Sequence, residues 1–219
     1  MTSLTIPNNV TTIGSGAFGS CDNLTSINIP NGITAIENST FSYCKKLSSI
    51  YIPNSVSKIG QRAFYGCESL TSISIPHGVT SIEDRTFDDC YNLISVDLPD
   101  GIVTIGEYAF CNCKKLKSII IPNSVTTIGN FAFYDTDVIT SITIPSGVTS
   151  IGKEAFNMCE SLASVYCKPK SVPQLGARGF ARGKYSTSPT IYVPMESVDE
   201  YKIANEWKEY ADYIVGYEF

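Results

Sequence analysis

The sequence predicts an elongated α/β solenoid of 23-residue repeats that stack on a parallel sheet and end in a C-terminal αβ cap. Three observations predict it. Proline falls at 7, 30, 53, 76, 99, 122 and 145, and phenylalanine at 18, 41, 64, 87, 110, 133 and 156, every step being 23. Cysteine keeps the same step at 21, 44, 67, 90, 113 and 159, with Thr136 in the one gap, and leucine at 24, 47, 70, 93, 116 and 162, with Ile139 in its gap. A 23-residue unit cannot bury its own apolar side, whereas stacked copies bury Leu on Leu, Phe on Phe and Cys on Cys.

One copy supplies each element in turn. In Leu24-Thr25-Ser26-Ile27-Asn28-Ile29-Pro30, Ile27 and Ile29 alternate with Ser26 and Asn28, the period of a half-buried strand. Pro30 lacks the N–H that would continue a ladder, and Asn31-Gly32 is turn chemistry. Ile33 and Ile36 turn inward across a short extended piece. Glu37 to Cys44 then carries Phe41 and Cys44 three apart, a helical spacing of one or two turns. Gly14, Gly60, Gly106, Gly129 and Gly152 mark a column expected at positive φ, against which Glu37 and Glu83 stand. Seven full copies reach Ser161, and an eighth opening strand runs from Leu162 to Cys167.

The period breaks after Cys167, so the chain divides into an array at 1–167 and a capping module at 168–219. Lys168 to Pro173 and Gly176 to Gly179 read as loop, and Thr190 to Val193 as a last strand stopped by Pro194. Ser197 with Glu200 three residues on is a capping-box signature. It predicts a helix from Val198 to Tyr210 with Tyr201, Ala204 and Trp207 inward, Trp207 sealing the last coil.

The I-P-x-x-V-x-x-I-G-x-x-A-F-x-x-C form of the repeat resembles the bacterial BspA-like, Treponema-type leucine-rich repeat. Ile191-Tyr192-Val193-Pro194, Ser197 to Lys202 and Glu206-Trp207-Lys208 resemble the terminal module that accompanies such repeats in gut and oral Bacteroidetes. The resemblance implies a right-handed leucine-rich-repeat-like superhelix with a parallel concave sheet. It also implies a cell-surface or secreted protein with an adhesive role, and matrix proteins of the fibronectin or fibrinogen type as partners. Met1 stands where the repeat places Leu. The first coil therefore opens on an apolar end, and the expectation is a piece of a longer chain with more repeats and a signal ahead of it. The other option is that a second copy covers that end.

Composition narrows function. The 219 residues are 43% hydrophobic and 17% charged, a globular balance. A net charge of −5 argues against non-specific nucleic-acid binding, and no apolar run approaches a membrane span. The one histidine, His77, is a turn residue in a column of Asn, Asp and Ser. Ser74 and Asp97 lie one coil apart on the strand face, near enough to be its neighbours but with nothing that makes a triad. No cofactor or metal is implied. Gly14-Ser15-Gly16 lacks the third glycine of a dinucleotide loop, and no C-x-x-C pair suits zinc. Asp84, Asp88, Asp89, Asp97 and Asp100 lack calcium-loop spacing and read as a solvated acidic face. Arg178, Arg182 and Lys184 make a basic cap loop suited to solubility or an acidic partner.

The cysteine column reads as a ladder of small buried thiols acting as hydrophobes rather than as disulfides. Cys111 stands outside it in a loop column with Gly19, Ser42 and Tyr65, and is expected to be exposed and the most reactive thiol.

The candidate site is the strand face. Its first outward column is Ser3, Ser26, Ser49, Ser72, Ser95, Ser118, Ser141 and Ser164, small hydroxyls expected to satisfy nearby backbone. Its second varies: Thr5, Asn28, Tyr51, Ser74, Asp97, Ile120, Thr143 and Tyr166. A fixed scaffold with one varied column is how a solenoid offers a binding surface, and Tyr51, Asp97, Ile120 and Tyr166 are its candidate partner-binding residues. The leading function is a non-catalytic binding or adhesion module. A spacer array without a ligand, or a module for cell-surface glycans on Tyr51 and Tyr166, are the alternatives.

Overall fold

The structure is a computed structural model that describes residues 2–181 and 188–219. Arg182 and Lys184 of the basic loop, and Met1, lie outside the described residues.

Parallel strands recur at the predicted step. Ser3–Thr5 pairs with Ser26–Asn28, Ser72–Ser74 with Ser95–Asp97, and Ser141–Ile144 with Ser164–Cys167, each serine opposite the next. Thr190–Pro194 and Ile214–Tyr217 extend the last pair to four strands. The predicted unbroken eight-strand sheet is divided. Tyr51 contributes a single bridge to Asn28, and the Ser118–Ile120 stretch forms no strand, although Lys117 N still donates to Ile94 O at 3.2 Å. Each strand ends at its proline, whose carbonyl accepts from the residue three on, as in Val56 N to Pro53 O at 3.0 Å. A second set of two-residue strands, from Ala35–Ile36 to Gln174–Leu175, holds the short extended pieces in register.

The stretch read as helical is not a helix. It is a run of turns in which the backbone N–H groups alternate between partners three residues back and partners in the next coil. Thr40, Ser42 and Cys44 donate to Glu37, Ser39 and Phe41, while Ser39, Phe41 and Tyr43 donate to Gln61, Ala63 and Tyr65. Ser39 (φ 56°) and Tyr43 (φ 59°) are left-handed, and the same two positions recur down the stack as Arg85 and Asp89, and Tyr108 and Asn112. Bonds to the next coil repay that conformational cost, which an isolated helix cannot do. Among the described residues the one α-helix is Val198–Ile203, so helix is confined to the cap.

The glycine column is corrected too. Gly129 and Gly152 lack positive φ; a Cβ there would come within 2.6 Å of Gly106 C and 2.4 Å of Asn130 N, in the coil before. At these two positions it is the approach of backbone to backbone, not φ, that calls for glycine.

The core is a set of ladders. Phe18, Phe41, Phe64, Phe87, Phe110, Phe133 and Phe156 stack with centroids 5.1–5.5 Å apart. Phe180 continues the ladder at 5.3 Å, so the columns persist into the segment where the period breaks. All eight cysteines are free. The buried thiols do more than fill space: Cys67, Cys90 and Cys113 each donate to the Phe carbonyl of the preceding coil at 3.2 Å. Burial pushes Cys44 up to about 12 and Cys159 to about 11, which keeps them protonated as donors at neutral pH. Thr136 instead donates to Phe133 of its own coil.

The cap helix stops at Ile203. Glu206 (φ 62°) breaks the chain, and a 3₁₀ segment runs from Trp207 to Tyr213. The capping box does not form; the Ser197 hydroxyl donates to Lys170 O at 2.8 Å. Trp207 and Tyr201 are fully buried, Ala204 partly so, and Phe180 meets Trp207 at 5.7 Å at the end of the ladder.

Candidate binding surface on the strand face

The period-2 alternation sets the varied column toward solvent, with Tyr51 66% and Ile120 85% exposed. The serine column beside it is exposed from Ser3 to Ser141. Among the described residues none of its hydroxyls bonds to backbone, so these serines keep the face small and wet rather than satisfying the chain.

The structure divides the four candidate residues into two places. Tyr51 and Asp97 share a cleft of about 340 Å³ lined by three successive coils. Tyr51, Ser74 and Asp97 of the varied column line it, together with Asn54, His77 and Asp100 and with Ile52, Ile75 and Pro76. The Ser74 hydroxyl donates to Asp97 Oδ2 at 3.1 Å, which occupies that carboxylate with the serine rather than with an imidazole. Among the described residues no hydrogen bond joins His77 to either. Asp97 and Asp100 make the cleft acidic, and among the described residues no Lys or Arg lines it. Ile120 and Tyr166 stand further along the face. Tyr166 stacks on Tyr192 at 4.9 Å and 11°, with Tyr217 edge-on to it at 5.7 Å. Tyr192 and Tyr217 were missed by the sequence reading. The strand register steps by 26 residues between Ser164 and Thr190, which takes them out of the 23-residue phase.

The acidic residues do not form one face. Asp97 and Asp100 line this cleft, while Asp84 accepts from Glu107 N at 2.8 Å on the opposite side of the coil and caps its turn. Asp88 is buried, 3% exposed, and takes Arg85 Nη1 at 2.9 Å. Burial, then neighbouring Asp89, pushes its carboxyl up to about 6, against the pull of Arg85 and the Cys111 thiol. Cys111 is 5% exposed and burial and Asp88 push its thiol up, so the expectation of an exposed, reactive cysteine is overturned.

Asp88 carries a pH prediction. A carboxyl whose folded pKa is raised binds its proton more tightly when folded. Stability is therefore greatest below the unfolded value and falls as pH rises through about 6. Between pH 4 and 7 this group is expected to cost about 2–3 kcal/mol. Urea unfolding of Asp88→Asn at both pH values is expected to lack that slope. A variant with the wild-type slope would refute the assignment.

No helix is long and apolar enough to cross a membrane among the described residues. What the fold and its surface define is a parallel-strand leucine-rich-repeat solenoid whose outward strand column faces solvent. The family model for the BspA-type leucine-rich repeat region matches in six copies, over residues 1–102 and 80–206. The chain belongs to the BspA-type leucine-rich repeat family. It is similar to a leucine-rich repeat protein from Bacteroides ovatus at 31% identity and TM-score 0.70, covering 90% of this chain and 58% of that one. A leucine-rich repeat protein of T. pallidum is 25% identical, TM-score 0.59, over 81% of this chain and 74% of that one. One from Eubacterium ventriosum is 25% identical, TM-score 0.65, over 87% and 45%. The chain thus spans 58% of the length of the Bacteroides protein. Among curated proteins none matches it.

Proposed function

We propose that this chain is a non-catalytic protein-binding module of an adhesive bacterial protein at the cell surface or secreted from it. A partner docks on the strand face, with the Tyr51–Asp97 cleft at the centre of the contact. The observation that carries the reading is the pairing of an invariant serine column with a varied, solvent-facing one that closes into a cleft between Tyr51 and Asp97. Tyr51 offers a large ring and one hydrogen-bonding group at low entropic cost. Asp97 and Asp100, with no Lys or Arg among the described residues that line the cleft, select a segment that brings Lys or Arg. Family membership supports an interaction role, and matrix proteins of the fibronectin or fibrinogen type are the partners to try first. Ile120 and Tyr166 extend the same face toward the cap.

The test is surface plasmon resonance of the purified chain over immobilised fibronectin, fibrinogen and a panel of other matrix proteins. Beside it run a Tyr51→Ala/Asp97→Ala variant and a fourfold variant with Ile120→Ala and Tyr166→Ala added. Saturable binding that the double variant loses, with association slowed by salt, is the expected result. Binding retained by the fourfold variant would remove the strand face from the interaction. Silence across the panel, from a chain shown to be folded, would favour the spacer reading.

A further inference from the structure

Beyond the Tyr51 cleft, the strand face holds a second feature of different chemistry. Ile120, Thr143, Tyr166 and Tyr192 follow one another in the outward column, with Thr143 paired to Tyr166 and Tyr166 to Tyr192. Tyr192 lies flat on one face of the Tyr166 ring. On its other side the register partner of Tyr166 is the short, exposed Thr143. A hollow of about 310 Å³ lies against the two, bounded by Thr143, Tyr166, Lys168, Tyr217, Glu218 and Phe219. Tyr217 stands edge-on to both Tyr166 and Tyr192 and fixes the platform from the side. Lys168 Nζ is held 5.6 Å over the Phe219 ring, a donor at the rim, and Glu218 is an acceptor there.

The rim carries one positive and one negative side chain, so it selects neither a cation nor an anion. It fits a neutral ligand with a flat apolar face and a polar edge. That describes a pyranose: its C–H face stacks on the Tyr166 ring, and its hydroxyls accept from Lys168, donate to Glu218 and exchange hydrogen bonds with Thr143. We infer that the hollow at Thr143 and Tyr166 is a binding site for a neutral pyranose unit of a glycan, separate from the protein-docking cleft at Tyr51 and Asp97.

The probe is cellohexaose, whose equatorial hydroxyls leave both ring faces apolar. Saturation-transfer NMR and calorimetry are run on the wild-type chain and on Tyr166→Ala, Tyr166→Phe and Tyr51→Ala. Transfer to the axial ring protons is expected. Tyr166→Ala is expected to weaken binding about tenfold, the loss of one stacking face. Tyr166→Phe, which keeps the ring, retains affinity and shows that stacking, not folding, is being read. Tyr51→Ala leaves sugar binding unchanged even if it abolishes protein binding, which keeps the two readings distinguishable. Absence of transfer, transfer that survives Tyr166→Ala, or displacement of the sugar by hexaproline as the tighter ligand would each overturn the inference.

Discussion

Phe110→Ala is expected to lower the unfolding free energy by about 3–5 kcal/mol, the range for emptying a fully buried phenylalanine site. Phe110 has no exposed surface and sits between Phe87 at 5.4 Å and Phe133 at 5.2 Å. Both contacts are lost together, and the ring's space is flanked by backbone bound coil to coil through Phe110 N to Ala132 O at 2.7 Å. Those bonds keep the coils from closing over the void. In a quasi-one-dimensional stack each coil is supported only by its neighbours, so the damage falls in the middle of the array. Native-state hydrogen exchange is expected to show lost protection centred on residues 105–135, and urea unfolding to show an earlier or divided transition. Tyr51→Ala, on the exposed face, is the control, expected within about 0.5 kcal/mol of wild type. A Phe110→Ala loss below about 1 kcal/mol would mean that the coils slide together and that the ladder is not what spaces them.

The legible part of this protein was whatever repeats in phase. Phe, Cys, Leu and Pro columns announce a stack because burial at a fixed step leaves the same residue at the same place, and the strand face followed from the alternation of Ile27 and Ile29 with Ser26 and Asn28. The convex stretch was misread because Phe41 and Cys44 three apart suit a helix as well as a turn run. Among the described residues its left-handed positions are mostly held by residues such as Ser39, Tyr43 and Arg85, with glycine at Gly16 and Gly66. Nothing local in the sequence signals them; hydrogen bonds to the next coil impose them. The same holds for Cys111, whose column contains Gly19 and Ser42 and looks like open loop, yet buries a side chain against Asp88. At the candidate site, Tyr51 and Asp97 are legible in the sequence because they keep the period. The partnership of Tyr166 with Tyr192 was hidden by three extra residues between Ser164 and Thr190.

Trp207→Ala is expected to open the C-terminal end of the stack. Coils at an end have one unburied face, and the Phe ladder here finishes on Phe180, which is covered by Trp207 and by Tyr210 edge-on at 5.8 Å. Trp207 also meets Tyr201 edge-on at 4.8 Å, and its indole N–H donates to Pro173 O at 2.7 Å. Tyr201 does the same to Pro169 O at 2.7 Å, and Tyr210 takes the Phe180 N–H at 3.1 Å. The cap aromatics thus fill the apolar end and satisfy the backbone of the last coil at once. Removing Trp207 costs about 3–5 kcal/mol of burial and strands a buried carbonyl worth about 1–3 kcal/mol more. At about 2–4 °C per kcal/mol for a chain of this size, the melting midpoint is expected to fall by roughly 10 °C or more. Trp207→Phe separates the two contributions, since it keeps a ring against Phe180 and loses only the N–H. It is expected to lose about 1–3 kcal/mol. Circular-dichroism melting with a dye for exposed apolar surface reads both. If Trp207→Ala melts like wild type without binding the dye, the last coil closes by itself, and the cap has another purpose than covering the Phe ladder.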